Sequence, residues 1–250
     1  STEQYSELMH ELTVNKGYTS LKFREKMSRL AFSETAFYDS VISNYFNEIT
    51  NTQFPKKKII HANLVEKLRY GENAHQQSAI YSQKDNLGLI KLHGKTLSYN
   101  NYNDVFSALS ITKSFPKNVG TVIIKHANPC GVSILKDKLR SYKSALACDP
   151  LSAFGGVVSC NFKVSKSLAI ELNKIFFEVI IGNGFEKNAV KILKTKKNLR
   201  LIDASKFSLD KNLKFNSINA SVLIQSEDNK IFQKKNFRVV SKMKPSKLQF

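Results

Sequence analysis

Residues 119–131 read VGTVIIKHANPCG, an apolar run that leads a lysine and a histidine directly into a turn. Residues 121–124 are β-branched and uncharged, which is typical of a strand buried on both faces. The Asn-Pro pair that follows, with a glycine two residues later, predicts the end of that strand. The pattern therefore places Lys125 and His126 at the carboxyl end of a central strand, where open α/β sheets bind their ligands.

Three further segments combine polar side chains with glycines in the same way. They read LRYGENAHQQ at 68–77, GKTLSYNNYND at 94–104 and DPLSAFGGVV at 149–158. Taken alone, residues 119–131 are also compatible with a buried strand that ends by chance in two polar residues. The presence of three further segments of the same character disfavours that chance interpretation.

In this order and at this spacing, the four segments resemble the bifunctional purine biosynthesis enzymes that combine AICAR transformylase and IMP cyclohydrolase activities. Bacterial members of that family carry an LRYGEN-HQ loop, a GK-LSYNN loop, a KHANPCG turn and a DP-SAFGG turn. The sequence departs from the family pattern at Ala74, where proline is usual, and at 182–184, where Gly-Asn-Gly replaces Ala-Pro. Neither departure touches the predicted chemistry.

The resemblance implies a division of the chain into three parts. Residues 1–48 match the helical tail of the cyclohydrolase domain, 49–58 form a linker, and 59–250 match the first subdomain of the transformylase domain. The fold implied for 59–250 is a cytidine-deaminase-like α/β sandwich. Residues 237–242 resemble the segment that closes this subdomain, and the chain lacks an initial Met, so we expect a fragment of a longer protein.

Hydrophobic periodicity independently predicts an α/β fold with a parallel or mixed sheet, preceded by a short helical segment. Helices are predicted over 4–14, 21–48, 102–115, 137–147, 165–175 and 186–195. Strands are predicted over 59–62, 78–82, 119–125, 156–161, 176–182, 199–203 and 220–225. Of the 250 residues, 42% are hydrophobic and the mean hydropathy is -0.29, which is typical of a soluble globular protein. We expect a cytoplasmic protein without a membrane partner, because neither a signal peptide nor a run of ~18–20 apolar residues is evident.

The three cysteines, Cys130, Cys148 and Cys160, form no close pairs in the sequence. This is unlike a disulfide scaffold and indicates a reducing compartment. Pro129-Cys130 looks like half of a zinc-deaminase signature, but no second cysteine follows within the spacing of that signature and no His-x-Glu lies upstream. We therefore expect no metal, and Cys130 is interpreted as a small buried thiol beside the site.

The net charge of +19 and the pI near 9.8 raise an alternative, a non-catalytic basic nucleotide- or RNA-binding module on the same fold. Only six of the 39 basic residues are arginines, whereas bidentate base recognition favours arginine. The lysines are scattered, so we expect a solvated surface that attracts anionic substrates and no nucleic-acid partner. A steep salt dependence of RNA binding, without AICAR binding, would favour the module.

The resemblance implies formyl transfer from 10-formyltetrahydrofolate, a co-substrate, to the 5-amino group of AICAR. That amine is a poor nucleophile, so the reaction needs proton removal and stabilisation of an oxyanion. We assign His126 to the amine, as its base or as the partner of a carboxamide that relays the proton. Lys125 is assigned to the formyl oxygen or the departing folate nitrogen. A buried structural imidazole is the alternative for His126.

The substrate-binding residues follow from the resemblance by position. Arg69 and Tyr70 match residues that grip the nucleotide, and Asn101 matches an amide that contacts it. Gly155 matches a backbone approach point where a Cβ would intrude. Glu178 matches an acidic position that binds ribose hydroxyls, with a structural ion pair as the alternative.

Two further expectations concern the catalytic turn and the assembly. Asn128 is expected to shape the turn, with a direct substrate contact as the alternative. The resemblance also implies a homodimer whose transformylase sites form between subunits.

Overall fold

The structure is a computed structural model, and it describes residues 1–84, 86–209, 213–228 and 237–246. The chain divides into two compact units, Ser1–Leu87 with Thr96–Tyr102 and Gly88–Lys95 with Asn103–Phe250. The first unit contains long helices and a hairpin, and the second is an α/β structure. The family boundaries expected at 48 and 58 stay a prediction.

The first unit confirms the two helices predicted at the N terminus. A 3-10 turn (Thr2–Gln4) precedes α1 (Tyr5–Val14), and α2 (Leu21–Ile49) follows after a short loop. Ser20 caps α2, because its hydroxyl accepts a hydrogen bond from the Phe23 N–H at 3.2 Å. Strands β1 (Asn63–Leu68) and β2 (Ser78–Ser82) then form an antiparallel hairpin.

The strand predicted over 59–62 is wrong, since β1 begins at Asn63. The Asn44 amide of α2 donates to the Ile59 carbonyl at 3.1 Å and lies 3.2 Å from His61 Nδ1. Residues 59–61 are therefore held by a helix side chain instead of a neighbouring strand. The hydrophobic pattern did not predict β1, because the charged pair Glu66-Lys67 interrupts its apolar residues.

Helix α3 (Tyr99–Ser114) begins three residues before its predicted start, in the first unit, and continues into the second. Ser98 and Asn101 explain the early start. The Asn101 N–H donates to the Ser98 hydroxyl and the Ser98 N–H donates to Asn101 Oδ1, each at 3.2 Å. This reciprocal pair satisfies backbone groups that the first turn of a helix otherwise leaves open.

Within the described part of the second unit, six strands form one mixed sheet in the order β3-β8-β7-β6-β4-β5. They are β3 (Ile90–His93), β4 (Thr121–Lys125), β5 (Asn128–Ser133), β6 (Val157–Cys160), β7 (Val179–Gly182) and β8 (Arg200–Asp203). Strands β6, β7 and β8 are parallel, and β4 is antiparallel to both β5 and β6. The predicted α/β class with a mixed sheet is confirmed.

The helices of this unit and a separate hairpin complete the described structure. The helices are α4 (Lys138–Cys148), α5 (Pro150–Ala153), α6 (Lys166–Leu172) and α7 (Lys187–Leu193). The hairpin pairs β9 (Leu213–Ile218) with β10 (Ser221–Ser226). Residues 237–242 form no helix or strand. In the described ranges, no helix combines the length and apolar character needed to cross a membrane.

The position of β4 corrects one part of the prediction. Residues 121–124 are fully buried, as predicted, but β4 is next to an edge strand of the sheet. Because β4 is antiparallel to β6, the edge where β4 ends is the edge where β6, β7 and β8 begin. The comparison with ligand sites at the carboxyl ends of parallel strands therefore does not hold for this sheet.

Candidate functional site

A two-residue turn, His126-Ala127, connects β4 to β5 and places Lys125 opposite Asn128. The backbone φ angles of His126 and Ala127 are 53° and 59°, both in the left-handed region. Two-residue hairpin turns of this kind favour asparagine and glycine, because a Cβ is disfavoured there. Each such residue costs about 1–2 kcal/mol. The turn is therefore strained, and the surrounding structure must hold it.

The prediction that the Asn-Pro pair ends β4 is wrong, because β4 ends at Lys125 and the pair lies in the following strand. Asn128 is the first residue of β5, a strand that the sequence pattern did not predict. Gly131 lies against α4, where an added Cβ would come within 1.8 Å of the Ala145 carbonyl oxygen. The glycine of this motif is thus required by close packing between β5 and α4.

Two hydrogen bonds hold the turn. The Ala127 N–H donates to Asp104 Oδ1 at 2.7 Å, and the Asn128 amide donates to the His126 carbonyl at 2.9 Å. The second bond is consistent with the expectation that Asn128 shapes the turn. Asp104 belongs to the quoted 94–104 segment, but its sequence context does not indicate this contact.

Lys125 is fixed by the turn that contains DPLSAFGG. Its ammonium group donates to the Phe154 carbonyl at 2.9 Å. The same turn begins with Asp149, which accepts hydrogen bonds from the Ser152 N–H at 3.0 Å and from the Ser152 hydroxyl at 2.5 Å. These bonds, with a smaller contribution from Lys125, lower the pKa of Asp149.

A cavity of about 410 Å³ opens at this turn. Its lining residues are Lys125, His126, Asn128, Pro129, Cys130, Asp149 and Ser152. The structure therefore brings together the two predicted catalytic residues and Asn128. His126 is exposed, so its alternative interpretation as a buried structural imidazole is wrong. Cys130 is half-buried, and burial raises the pKa of its thiol.

Gly155 lies next to Phe154, and its N–H donates to the Phe176 carbonyl at 2.8 Å. A Cβ at Gly155 would meet the Phe176 ring as its nearest described neighbour, at 3.8 Å. Position 155 favours glycine because its φ is 74°, in the left-handed region. The close approach occurs at Gly156, where a Cβ would lie 2.7 Å from the Ile124 carbonyl oxygen.

Glu178 precedes β7 at the same edge of the sheet, and its N–H donates to the Gly156 carbonyl at 3.0 Å. Its carboxylate forms an ion pair with Arg200, with 3.6 Å between Oε2 and Nη1. The ion pair expected as an alternative role is therefore present. Sequence reasoning missed Arg200, whose place beside Glu178 follows from the parallel register of β7 and β8.

Arg69, Tyr70 and Asn101 belong to the first compact unit. Arg69 is exposed, and its guanidinium carbon lies 5.8 Å from the centre of the Tyr70 ring. Gln76 closes the adjoining loop, since its carbonyl and side-chain oxygens accept from the Gly71 and Asn73 N–H groups. Asn101 is 5% exposed and is occupied in part with capping α3.

Over the described ranges, no three histidine, cysteine or acidic side chains are grouped so that they could hold a metal ion. All three cysteines lie in described segments and are free thiols. The functional groups that line the cavity are an ammonium, an imidazole, an amide, a carboxylate, a thiol and a hydroxyl.

Comparison with known proteins matches the whole chain to one family. The profile of the family described as AICARFT/IMPCHase bienzyme matches residues 1–250. Curated relatives named bifunctional purine biosynthesis protein PurH include one from Bradyrhizobium diazoefficiens, 38% identical over 98% of this chain and 48% of the relative. The relative from Persephonella marina is 40% identical over 98% of this chain and 48% of its own length. The chain thus spans about half the length of these relatives. Because the family profile covers every residue, the chain belongs to the AICARFT/IMPCHase bienzyme family.

Proposed function

We propose that this chain supplies part of the AICAR transformylase site of a bifunctional enzyme of de novo purine biosynthesis. The reaction moves the formyl group of 10-formyltetrahydrofolate to AICAR and gives FAICAR. The observation that carries the proposal is the cavity beside the 125–128 turn, where a fixed ammonium group and an exposed imidazole are neighbours in the chain. In the full-length protein, IMP cyclohydrolase activity would reside in residues outside this chain.

The proposed reaction forms a bond between the AICAR 5-amino nitrogen and the formyl carbon. His126 takes the proton that the attacking nitrogen loses, directly or through the AICAR carboxamide. Lys125 stabilises the oxyanion that forms on the formyl oxygen. Collapse of this intermediate breaks the bond from the formyl carbon to folate N10, and that nitrogen then gains a proton from the lysine or the protonated imidazole.

The contact between Lys125 and Phe154 supports this assignment. An ammonium group has three N–H donors, and one of them is used by the Phe154 carbonyl at 2.9 Å. That bond orients the group beside the cavity and leaves two donors for substrate oxygens. A cation oriented before the reaction stabilises developing negative charge without reorganising.

We further propose that Arg69, Tyr70, Asn101, Gly155 and Glu178 bind the nucleotide, with folate as co-substrate and no resident metal. An exposed guanidinium is suited to a phosphate, because its planar fork donates two parallel hydrogen bonds. The positions of these residues in the family pattern support these roles. Family membership also supports a cytidine-deaminase-like fold for the α/β unit. The free thiols support a reducing setting such as the cytoplasm.

A homodimer is the proposed assembly. Large apolar side chains are exposed along α2, and they support burial against another protein surface. These side chains include Phe32, Tyr38, Tyr45 and Phe46.

Arg69→Ala tests the phosphate contact in the full-length protein. We expect AICAR affinity to weaken by about 1.5–3 kcal/mol, because a charged hydrogen-bond partner of the phosphate is lost. Affinity for the unphosphorylated riboside should change little, and both are measured by calorimetry. Arg29→Ala is the control, since it removes an exposed arginine from α2. Equal losses for both ligands would make Arg69 structural.

Glu178→Gln separates ribose binding from the ion pair. If Glu178 binds ribose, AICAR affinity should fall about tenfold, because the glutamine lacks the charge that strengthens a hydrogen bond to a hydroxyl. The Glu178 and Arg200 side chains are 43% and 17% exposed, so losing their ion pair should cost at most about 1 kcal/mol of unfolding free energy. The control is Glu171→Gln, which removes a carboxylate paired with Lys174 at 2.7 Å. Unchanged AICAR affinity in Glu178→Gln would leave Glu178 with a structural role.

A further inference from the structure

We propose that Asp104 is a positioning residue, whose carboxylate holds the strained turn in the conformation that presents His126 to the cavity. The inference rests on the proposed function of His126. The main evidence for this role of Asp104 is the 2.7 Å hydrogen bond from the Ala127 N–H to Asp104 Oδ1. Asp104 does not line the described cavity, so it acts through the backbone of the turn.

The turn needs an external partner. His126 and Ala127 both have positive φ, a conformation that neither side chain favours. Relaxation of either residue to negative φ would change the direction of the chain and move the imidazole. The Asn128 side-chain amide also bonds the turn. Asn128 directly follows the turn in sequence, however, so it moves with the turn. Asp104 comes from another element and fixes the turn to it.

Helix α3 is a suitable anchor because it is firmly packed where it carries Asp104. Val105 and Ala108, one and four residues further on, are both fully buried. Further along the helix, the Thr112 hydroxyl lies 2.9 Å from the Ser159 hydroxyl of β6, and both residues are buried. The Asp104 carboxylate is thus attached to a helix that is itself bonded to the central sheet.

The kinetic test uses matched variants of the full-length protein. Asp104→Ala should lower kcat for formyl transfer about 10- to 100-fold, with less than about a threefold change in the KM for AICAR, because the imidazole is misplaced while the binding groups remain. Asp104→Asn should retain kcat within about threefold, since its amide oxygen accepts the same bond. The control, Asp137→Ala, removes a carboxylate that accepts a backbone N–H at 2.8 Å from Arg140. It should leave kcat within about twofold.

A rescue variant distinguishes positioning from general loss of structure. Glycine adopts positive φ without strain, so the double variant Asp104→Ala, Ala127→Gly should regain at least about fivefold of the lost kcat. An unchanged kcat in Asp104→Ala would overturn the proposal. So would a loss of equal size in Asp137→Ala, or the absence of recovery in the double variant.

Hydrogen exchange of the Ala127 amide tests the contact without relying on activity. Asp104→Ala should speed this exchange at least about tenfold, whereas Asp137→Ala should leave it unchanged. Unaltered exchange in Asp104→Ala would overturn the role of Asp104 even if the wild-type protein transfers formyl groups. If exchange is faster in Asp104→Ala but the wild-type protein does not transfer formyl groups, the contact stands and the proposed function is overturned. The positioning of a catalytic imidazole would then be overturned with it.

Discussion

Replacing Lys125 or His126 by alanine in the full-length protein is expected to lower formyl-transfer turnover by about 10²-fold or more. Lys125→Ala removes the cation proposed to stabilise the oxyanion, and His126→Ala removes the group proposed to accept the proton of the amine. Both residues line one cavity, so each loss acts on the same reaction. A folate absorbance assay with saturating AICAR measures the turnover.

The controls for this result are built into the protein. Cyclohydrolase turnover should change little, because that chemistry is proposed to lie outside this chain. Lys143→Ala and His10→Ala remove an exposed lysine and an exposed histidine outside the cavity, and both should retain wild-type formyl transfer. Wild-type turnover in Lys125→Ala or His126→Ala would remove that residue from the mechanism.

Gly131→Ala is expected to destabilise the α/β unit by about 3 kcal/mol or more. The added Cβ would lie 1.8 Å from the Ala145 carbonyl oxygen and 2.8 Å from its carbon, so β5 and α4 must separate. Both partners are backbone atoms, which cannot rotate away as a side chain does. Forcing extra atoms into a packed interior costs 1–3 kcal/mol in typical cases and more where the backbone must move. Denaturant unfolding measures the loss.

Gly184→Ala is the matched control for backbone conformation. Gly184 has a φ of 88°, but a Cβ there would meet its nearest described neighbour, Lys163, at 3.8 Å. Its substitution should therefore cost only about 1–2 kcal/mol, the usual penalty for a left-handed residue with a Cβ. A Gly131→Ala protein as stable as wild type would contradict the close packing of β5 on α4.

Local pattern was enough to predict the elements whose side chains are buried or regularly spaced. Strands β4 and β7 are short apolar runs with fully buried residues, and α2 carries a helical repeat over its length. The strands that escaped prediction lack such a signal. Strand β5 opens with Asn-Pro, and β3 is an edge strand of only four residues, too short for its alternation of apolar and polar residues to be distinctive.

The candidate site was likewise predictable only in part from the sequence. The quoted segment 119–131 identified Lys125 and His126, because residue type and order along the chain were sufficient. The contacts that organise the site join residues far apart in sequence, as Asp104 joins Ala127 and Lys125 joins Phe154. Such contacts depend on strand order, and the antiparallel direction of β4 was not evident from its composition.

The most direct test of the central claim is a crystal structure of the full-length protein with AICAR bound. We expect the 5-amino group or carboxamide of AICAR within about 3.2 Å of the His126 imidazole, or one water molecule away from it. The Lys125 ammonium should face the position of the transferred formyl group. AICAR bound away from the 125–128 turn, in a protein that is active in formyl transfer, would contradict the roles proposed for Lys125 and His126.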